Sequence, residues 1–245
     1  MLNVSFFKSI AAVLFPRYCA GCNSVLSDEE PFVCASCMGR LRLTEHAQHR
    51  GNGLELLFRS FSLYSKEVFP GDKFVRGAAY AYYSKHTPLP NIIRSMKFLG
   101  DPELARWLGK RAAEHALSQN PDFFDGVDML MPVALHPKRL RERGFNQSEW
   151  LCRGISDVTG IPVDTAHLVR STNTEQQSLK TLEERAKLGQ IFSLLHPEEL
   201  RGKHIMIVDD VTTSGSTIAR VQEVLHPIRN CRYSVFALAY AKHIL

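Results

Sequence analysis

The chain has 245 residues, 44% of them apolar and 22% charged, with a formal net charge of +5. These are the values of a soluble globular protein, long enough to bury a core without covalent staples, as one large domain or as one ordinary domain with a small companion. No apolar run reaches the roughly 18 residues that suggest a membrane span, and the mild basic excess suits an anionic partner, either nucleic acid or a small phosphorylated molecule.

Residues 2–15 are apolar but interrupted by Asn3, Ser5, Lys8 and Ser9. A charged leader region and a small-residue cleavage site before Cys19 are both missing, so the segment does not read as a signal peptide. Leu2, Phe6, Phe7, Ile10, Val13 and Leu14 fall near helical spacing and predict a short amphipathic helix packed on the protein. Four of the six cysteines follow as two pairs, Cys19–Cys22 and Cys34–Cys37, each with two small residues between. Two such turns facing each other place four sulfurs in a tetrahedron, which suits a closed, structural Zn²⁺ site. A pair of disulfides is disfavoured by the cytoplasmic setting this cysteine usage suggests, and a redox pair would want a thioredoxin-like βαβ unit that is absent. Four cysteines satisfy the metal, so His46 and His49 read as surface residues. Cys152 and Cys231 sit in apolar surroundings and read as buried free thiols.

Residues 44–73 carry little pattern, with Gly51, Gly53, Pro70 and Gly71, and mark a boundary or a loose extension. The chain therefore divides into 1–73, holding the N-terminal helix, the four-cysteine finger and its extension, and 74–245, an α/β domain. In that second part residues 74–83 read as strand, 90–99 as helix, and 101–117 as helix with Asp101 as N-cap. Residues 127–133 are a short apolar strand, 147–159 a helix stopped by Gly160, and 161–169 strand-like. Residues 183–188 are a short helix, 204–208 a strongly apolar strand, 217–225 a helix and 232–241 a last strand. Strands alternating with helices imply a mostly parallel sheet covered on both faces.

The strand at 205–208 ends abruptly in Asp209 and Asp210 and runs into Thr212, Thr213, Ser214, Gly215, Ser216 and Thr217 before a helix begins. In an open α/β sheet, ligands sit at the carboxyl ends of strands. A loop feeding a helix N-terminus offers unpaired N–H groups to a phosphate, and a glycine lets backbone approach closely. Two carboxylates there make sense as acceptors for sugar hydroxyls, or as outer ligands to a Mg²⁺ that offsets the charge. Upstream, Lys138, Arg139, Arg141 and Arg143 place four cations within six residues after a strand end. They fit a pyrophosphate, a nucleic-acid backbone or a solvated helix face. Lys97 closes an apolar helix and can reach the same pocket or snorkel at the surface.

Residues 205–217 resemble the PRPP (phosphoribosyl pyrophosphate) signature of type I phosphoribosyltransferases: four apolar residues, two acids, then a hydroxyl-rich loop with a glycine. Thr212 departs from it mildly, since the family more often has an apolar or aromatic residue there. The stretch Met131-Pro132-Val133-Ala134-Leu135-His136-Pro137 through Arg143-Gly144-Phe145-Asn146-Gln147 is similar to one found in ComF-type proteins. So are Lys97-Phe98-Leu99-Gly100-Asp101 and Arg170 with Thr174, Gln177 and Arg185. On these motifs and the cysteine pairs, the chain is identified as a member of the ComF/GntX group over nearly all but residues 44–73.

The resemblance implies a type I phosphoribosyltransferase fold with a small zinc-binding module. It implies that Asp209 and Asp210 hold the ribose 2′ and 3′ hydroxyls, with Arg170 beside them at the reaction centre. Thr213 to Thr217, extended by Thr212, cradle the 5′-phosphate. Lys138, Arg139, Arg143 and Lys97 neutralise pyrophosphate, and a loop over 172–179 closes to exclude water. The expected function is Mg²⁺-dependent transfer of phosphoribosyl from PRPP, or another phosphorylated ribose, to an unidentified acceptor, in the cytoplasm. The group is tied to natural transformation and use of external DNA. No general base for an acceptor stands out, which keeps an alternative open: a non-catalytic PRPP or nucleotide sensor, or an adaptor that engages single-stranded DNA, a DNA-uptake helicase or another competence protein.

Overall fold

The computed structural model describes residues 16–64, 73–98, 100–170 and 191–241, with side chains of the first segment given up to Arg59. The predicted helices at 2–15 and 183–188 and the predicted closing loop at 172–179 lie outside the described residues.

A four-stranded, all-parallel sheet forms the centre, in the order β1 (Phe74–Tyr82), β6 (Arg232–Tyr240), β5 (His204–Thr212), β2 (Met129–Pro132). Its central strands are apolar through their middles, residues 205–208 and 235–239, because both faces are covered. Along β5, Met206 and Val208 enter one core while Ile205 and Ile207 enter the other. The first core is closed by α3 (Leu89–Phe98), α4 (Pro102–Gln119) and α6 (Gln147–Thr159), and the second by α2 (Gly53–Tyr64) and α7 (Ser216–Leu225). The expected parallel α/β arrangement with helices on both faces is what the chain adopts. Both sheet edges are partly occupied: Leu43 bridges Ala81 beside β1, and Val163 bridges Leu130 beside β2.

The helix ends follow the residues that cap them. The Asp101 side chain accepts from Glu103 N at 2.9 Å to open α4. Asn146 accepts from Ser148 N at 3.1 Å to open α6, and Gly160, at φ 70°, ends it. The basic run 137–143 is itself a helix, α5 (Pro137–Arg143), begun by His136 and ended by Gly144 in the left-handed region. The small module contributes α1 (Ala35–Gly39), and its Cys19, Leu26, Val33, Cys37 and Leu41 share the first core with α3, α4 and α6.

Three expectations need correction. Residues 161–169 are not one strand: only β3 (Leu168–Arg170) forms, pairing antiparallel with β4 (Phe192–Leu194). Asp164 explains the break, because its carboxylate accepts from Ala166 N at 2.9 Å and from His167 N at 3.3 Å, an Asx turn that competes with extension. Within 44–73, α2 is an ordinary helix capped by Asn52, whose Oδ1 accepts from Leu54 N and Glu55 N. His46 is buried, not at the surface, with its ring against Tyr82 and Tyr240, whereas His49 is exposed as expected.

The tightest contact joins α4 to α6. A Cβ on Gly154 would lie 1.9 Å from the Arg106 carbonyl oxygen, and one on Gly109 would lie 2.2 Å from that of Leu151. Helix interiors normally favour alanine over glycine by about 1 kcal/mol, so these two glycines are kept for closeness. Gly154→Ala is expected to cost about 1–3 kcal/mol despite its better helix propensity. Urea unfolding of both proteins checks this, and equal midpoints would show that the helices separate freely.

Candidate functional site

The carboxyl ends of β2 and β5 lie side by side, Pro132 opposite Val208, so the residues that follow share one rim of the sheet. Asp209 is buried there. Its Oδ1 accepts from Asp210 N at 2.8 Å and faces Ser148 Oγ at 3.4 Å. Burial, and then the neighbouring Asp210, push its carboxyl up to about 7. Asp210 is more open and forms an ion pair with Lys97, Nζ to Oδ2 2.7 Å.

Beyond the acids the chain turns at Gly215, whose φ of 75° no side chain would favour, and enters α7 with no side-chain cap. The free N–H groups of that first turn point out of the helix start and can serve an anion. Thr213, Ser214, Ser216 and Thr217 are exposed around it. Asp209, Thr212, Thr213, Gly215, Ser216 and Thr217 line an oxygen-sized recess of about 20 Å³. The Thr212 hydroxyl is buried beside it without a hydrogen-bond partner. A buried donor left unpaired costs roughly 1–3 kcal/mol, which a ligand oxygen or a water would recover. A larger cavity of about 630 Å³ lies elsewhere, against Leu194, Arg201, Val224 and Arg229, and includes neither acid and no residue of the hydroxyl loop.

The predicted cations divide. Lys97 meets the acid pair directly. Arg170 ends β3 with its guanidinium 5.4 Å from the Phe192 ring centre; burial and the nearby Arg139 lower its pKa, and Asp209 opposes them. Arg139, Arg170 and Asp209 therefore share one local field. Arg143 reaches back instead, donating to Gln147 Oε1 at 2.8 Å and lying 5.7 Å from the Phe98 ring centre. Lys138 is exposed and makes no ion pair among the described residues.

Two residues were not singled out as site residues by sequence reasoning. Ser148 holds Asp209, and Gln147 is buried with an unpartnered Nε2 beside it in sequence. A hydroxyl and an amide in the first turn of a helix that begins at the sheet's carboxyl rim were the available signal. Asn146 assists both by capping α6 and donating to Val133 O at 3.1 Å, which ties that helix to the end of β2.

The four sulfurs of Cys19, Cys22, Cys34 and Cys37 lie within 4.8 Å of one another, a set that can hold a single metal ion. Backbone donors support them: Gly21 N and Cys34 N each approach Cys19 Sγ at 3.3 Å, and Cys37 N approaches Cys34 Sγ at 3.4 Å. Such bonds favour thiolate over thiol. Hydrogen bonding from Ser24 draws the Cys22 thiol down to about 6. His46 is bound elsewhere and takes no part.

No family model matches the chain. The DNA utilization protein YhgH of Salmonella typhimurium is 32% identical over 141 residues, which cover 56% of this chain and 61% of that protein. Competence protein F of Haemophilus influenzae is 27% identical over 234 residues, covering 91% of this chain and 96% of that one. The chain thus has homologues in the ComF family. Its match to YhgH spans less than two thirds of that relative, while the match to competence protein F runs nearly end to end. A solved structure described as the allosteric regulatory enzyme of purine biosynthesis is similar over 59% of this chain and 29% of its own, with TM-score 0.42 and 17% identity. Over the described residues after 73 this chain is a parallel sheet flanked by helices, with the acid pair and hydroxyl loop toward the carboxyl end of a central strand.

Proposed function

We propose that this chain binds PRPP, or a closely related phosphorylated ribose, together with Mg²⁺, and that it serves the uptake or use of DNA. One observation carries the reading: Asp209 and Asp210 stand near the carboxyl end of a central strand that closes at Thr212, a short loop before an uncapped helix start, which puts sugar-hydroxyl acceptors next to a phosphate cradle. In this reading Asp209 and Asp210 accept from the ribose hydroxyls. Thr212, Thr213, Ser214, Gly215, Ser216 and Thr217 receive the 5′-phosphate. Lys97, Arg139 and Arg170 supply the nearby positive charge, with Lys138 and Arg143 on the flanking helix. Mg²⁺, held by the ligand's diphosphate oxygens with the acid pair as outer acceptors, would offset the remaining charge. The names of the relatives, a DNA utilization protein and a competence protein, support the biological setting.

Phosphoribosyl transfer would follow from the same geometry. An acceptor's lone pair forms a bond to C1 of the ribose, and the C1–O bond breaks with its electrons leaving on pyrophosphate. The cations near Asp209 stabilise that departing charge. The four-cysteine cluster is read as a structural Zn²⁺ site. A tetrahedral zinc thiolate has sulfurs about 3.8 Å apart from Zn–S bonds of about 2.3 Å, and Cys22 and Cys34 are already separated by 3.8 Å. A second reading, a single-stranded DNA adaptor without turnover, draws on exposed Tyr18 near Arg94 and exposed Phe98 near Arg143.

Calorimetry with Mg²⁺-PRPP tests the first reading. Wild type is expected to bind and Asp209→Ala/Asp210→Ala to show no heat of binding. A wild type that is folded, metal-loaded and silent would overturn it and move the weight to the DNA adaptor.

A further inference from the structure

The cysteine module and the acid pair are joined by a single element. α3 is ten residues long, and Ile92, Ile93 and Met96 bury its core side. Asn91 and Ser95 lie four residues apart on one flank. Asn91 Nδ2 donates to Gly21 O at 2.9 Å, and Ser95 Oγ donates to Ala20 O at 3.1 Å. Ala20 and Gly21 are the two residues between Cys19 and Cys22. Their carbonyls are therefore placed by whatever fixes that cysteine loop. Lys97 follows Ser95 by two residues, about 200° around the helix, so it leaves from nearly the opposite flank and meets Asp210 at 2.7 Å.

The loop is tight at Gly21, toward Pro88 and the second cysteine pair. A Cβ on Gly21 would lie 2.9 Å from Cys37 Sγ and 3.1 Å from the Cβ of Pro88, the residue just before α3. Between the rest of the loop and α3 is a cavity of about 380 Å³, lined by Tyr18, Cys22, Asn23 and by Asn91, Arg94 and Ser95 of α3. A metal ion that draws the four sulfurs together holds the loop against α3. Without that constraint the cavity leaves the loop room to shift against Asn91 and Ser95.

We propose that the first cysteine loop, acting through Asn91 and Ser95, positions Lys97 against Asp210, so that metal occupancy of the four-cysteine cluster sets the affinity of the acid pair for a phosphorylated ribose. The affinity half of this rests on the reading of the site given above; the positioning half does not. Asn91 and Ser95 are positioning residues: they touch neither the acids nor the recess. Lys97 carries the effect. Held over Asp210 it neutralises one of two adjacent carboxylates and offers a cation to an anionic ligand. Released, it leaves the pair repelling the phosphates it should accept.

Reductive methylation of lysines in the full, zinc-loaded chain, read by peptide mass spectrometry, reports the position of Lys97 without any ligand. Lys97 is expected to react more slowly than exposed Lys138. In Asn91→Ala/Ser95→Ala, with zinc still bound at one ion per chain, the Lys97 rate is expected to rise several-fold while that of Lys138 stays fixed. Asn91→Asp, which keeps the shape and removes the donor, should move it the same way and serves if the double variant loses metal. Chelation of wild type should give the largest rise. Mg²⁺-PRPP affinity is expected to fall several-fold in the double variant, and adding Lys97→Ala should bring no further fall. An unchanged Lys97 rate in the zinc-loaded variants overturns the coupling. Additive losses with Lys97→Ala overturn the route through Lys97. A wild type that fails to bind PRPP defeats the reading of the site and, with it, the affinity half, while the labelling still decides the positioning.

Discussion

Asp209→Asn is expected to abolish Mg²⁺-PRPP binding and, at pH 8, to make the protein more stable. The two effects have one source. Asp209 is buried beside Asp210, and its carboxyl is raised from an ordinary 3.8 to about 7. The folded chain therefore holds a proton that the unfolded chain releases. Between roughly pH 4 and pH 7 the folded state binds more protons than the unfolded state, so stability falls as pH rises through that window. The penalty is nearly absent below the unfolded value and complete above the folded one. Lys97 and Ser148 lessen it, and burial with the Asp210 charge outweighs them.

Asparagine keeps a carbonyl oxygen that can accept from Asp210 N and Ser148 Oγ, and it carries no charge at any pH. The substitution should raise the melting temperature at pH 8 by about 5 °C, taking a stability gain of a few kcal/mol in a chain of this size. At pH 5 the gain should shrink to less than half. Scanning calorimetry of both proteins at the two pH values, beside PRPP titrations, measures all of it. Equal melting temperatures at pH 8, or a gain as large at pH 5, would mean that Asp209 is solvated or already neutralised. A stabilising substitution that removes binding is the mark of a charge retained for a ligand rather than for folding.

How much of this was legible depended on whether the cause was local. The β5 strand, its two acids and the loop into α7 could be read because an apolar run broken by carboxylates and hydroxyls has few other meanings. The span of α6 was legible to the residue from its periodicity and Gly160, and so was the N-cap of α4 at Asp101. β3 and β4 were not, since each has three residues and exists by pairing across more than twenty positions of chain. His46 looked like a surface residue because nothing in its own neighbourhood buries it; Tyr82 and Tyr240 do. Gly109 and Gly154 carry no local signal of their role and are the contact itself.

The candidate site divides along the same line. The acids, the loop and the four cysteines are sequence patterns. The ion pair of Lys97 with Asp210, the support of Asp209 by Ser148 and the hold of Asn91 and Ser95 on the cysteine loop are facts of packing. The sequence offered Lys97 to this pocket but not its partner, and it is silent on the other two, because each joins elements set side by side only when the sheet closes.

Cys37→Ser is expected to have the largest structural effect of any single substitution in the module. Cys37 is 1% exposed and lies in the core shared by Val33, Leu41, α3 and α4. As a free thiol it is pushed well above its ordinary range, first by burial and then by the other cysteines. Four clustered sulfurs in that setting are comfortable as thiolates only around a cation. Serine is a poor zinc ligand, and the three sulfurs left, of which Cys19 and Cys34 are buried, would repel one another as thiolates. The substitution should take bound zinc from one ion per chain to none by native mass spectrometry. It should cost at least about 3 kcal/mol of stability, a fraction of what structural zinc contributes where it is the whole fold. Hydrogen exchange should quicken through residues 16–41 while β5 and β6 keep their protection, because the sheet has a second core that the module does not touch. Cys231→Ser, also buried but far from the cluster in that second core, should leave the metal in place. Wild type found with reduced thiols and no metal, its module as protected as the sheet, would show that packing alone holds the four cysteines together.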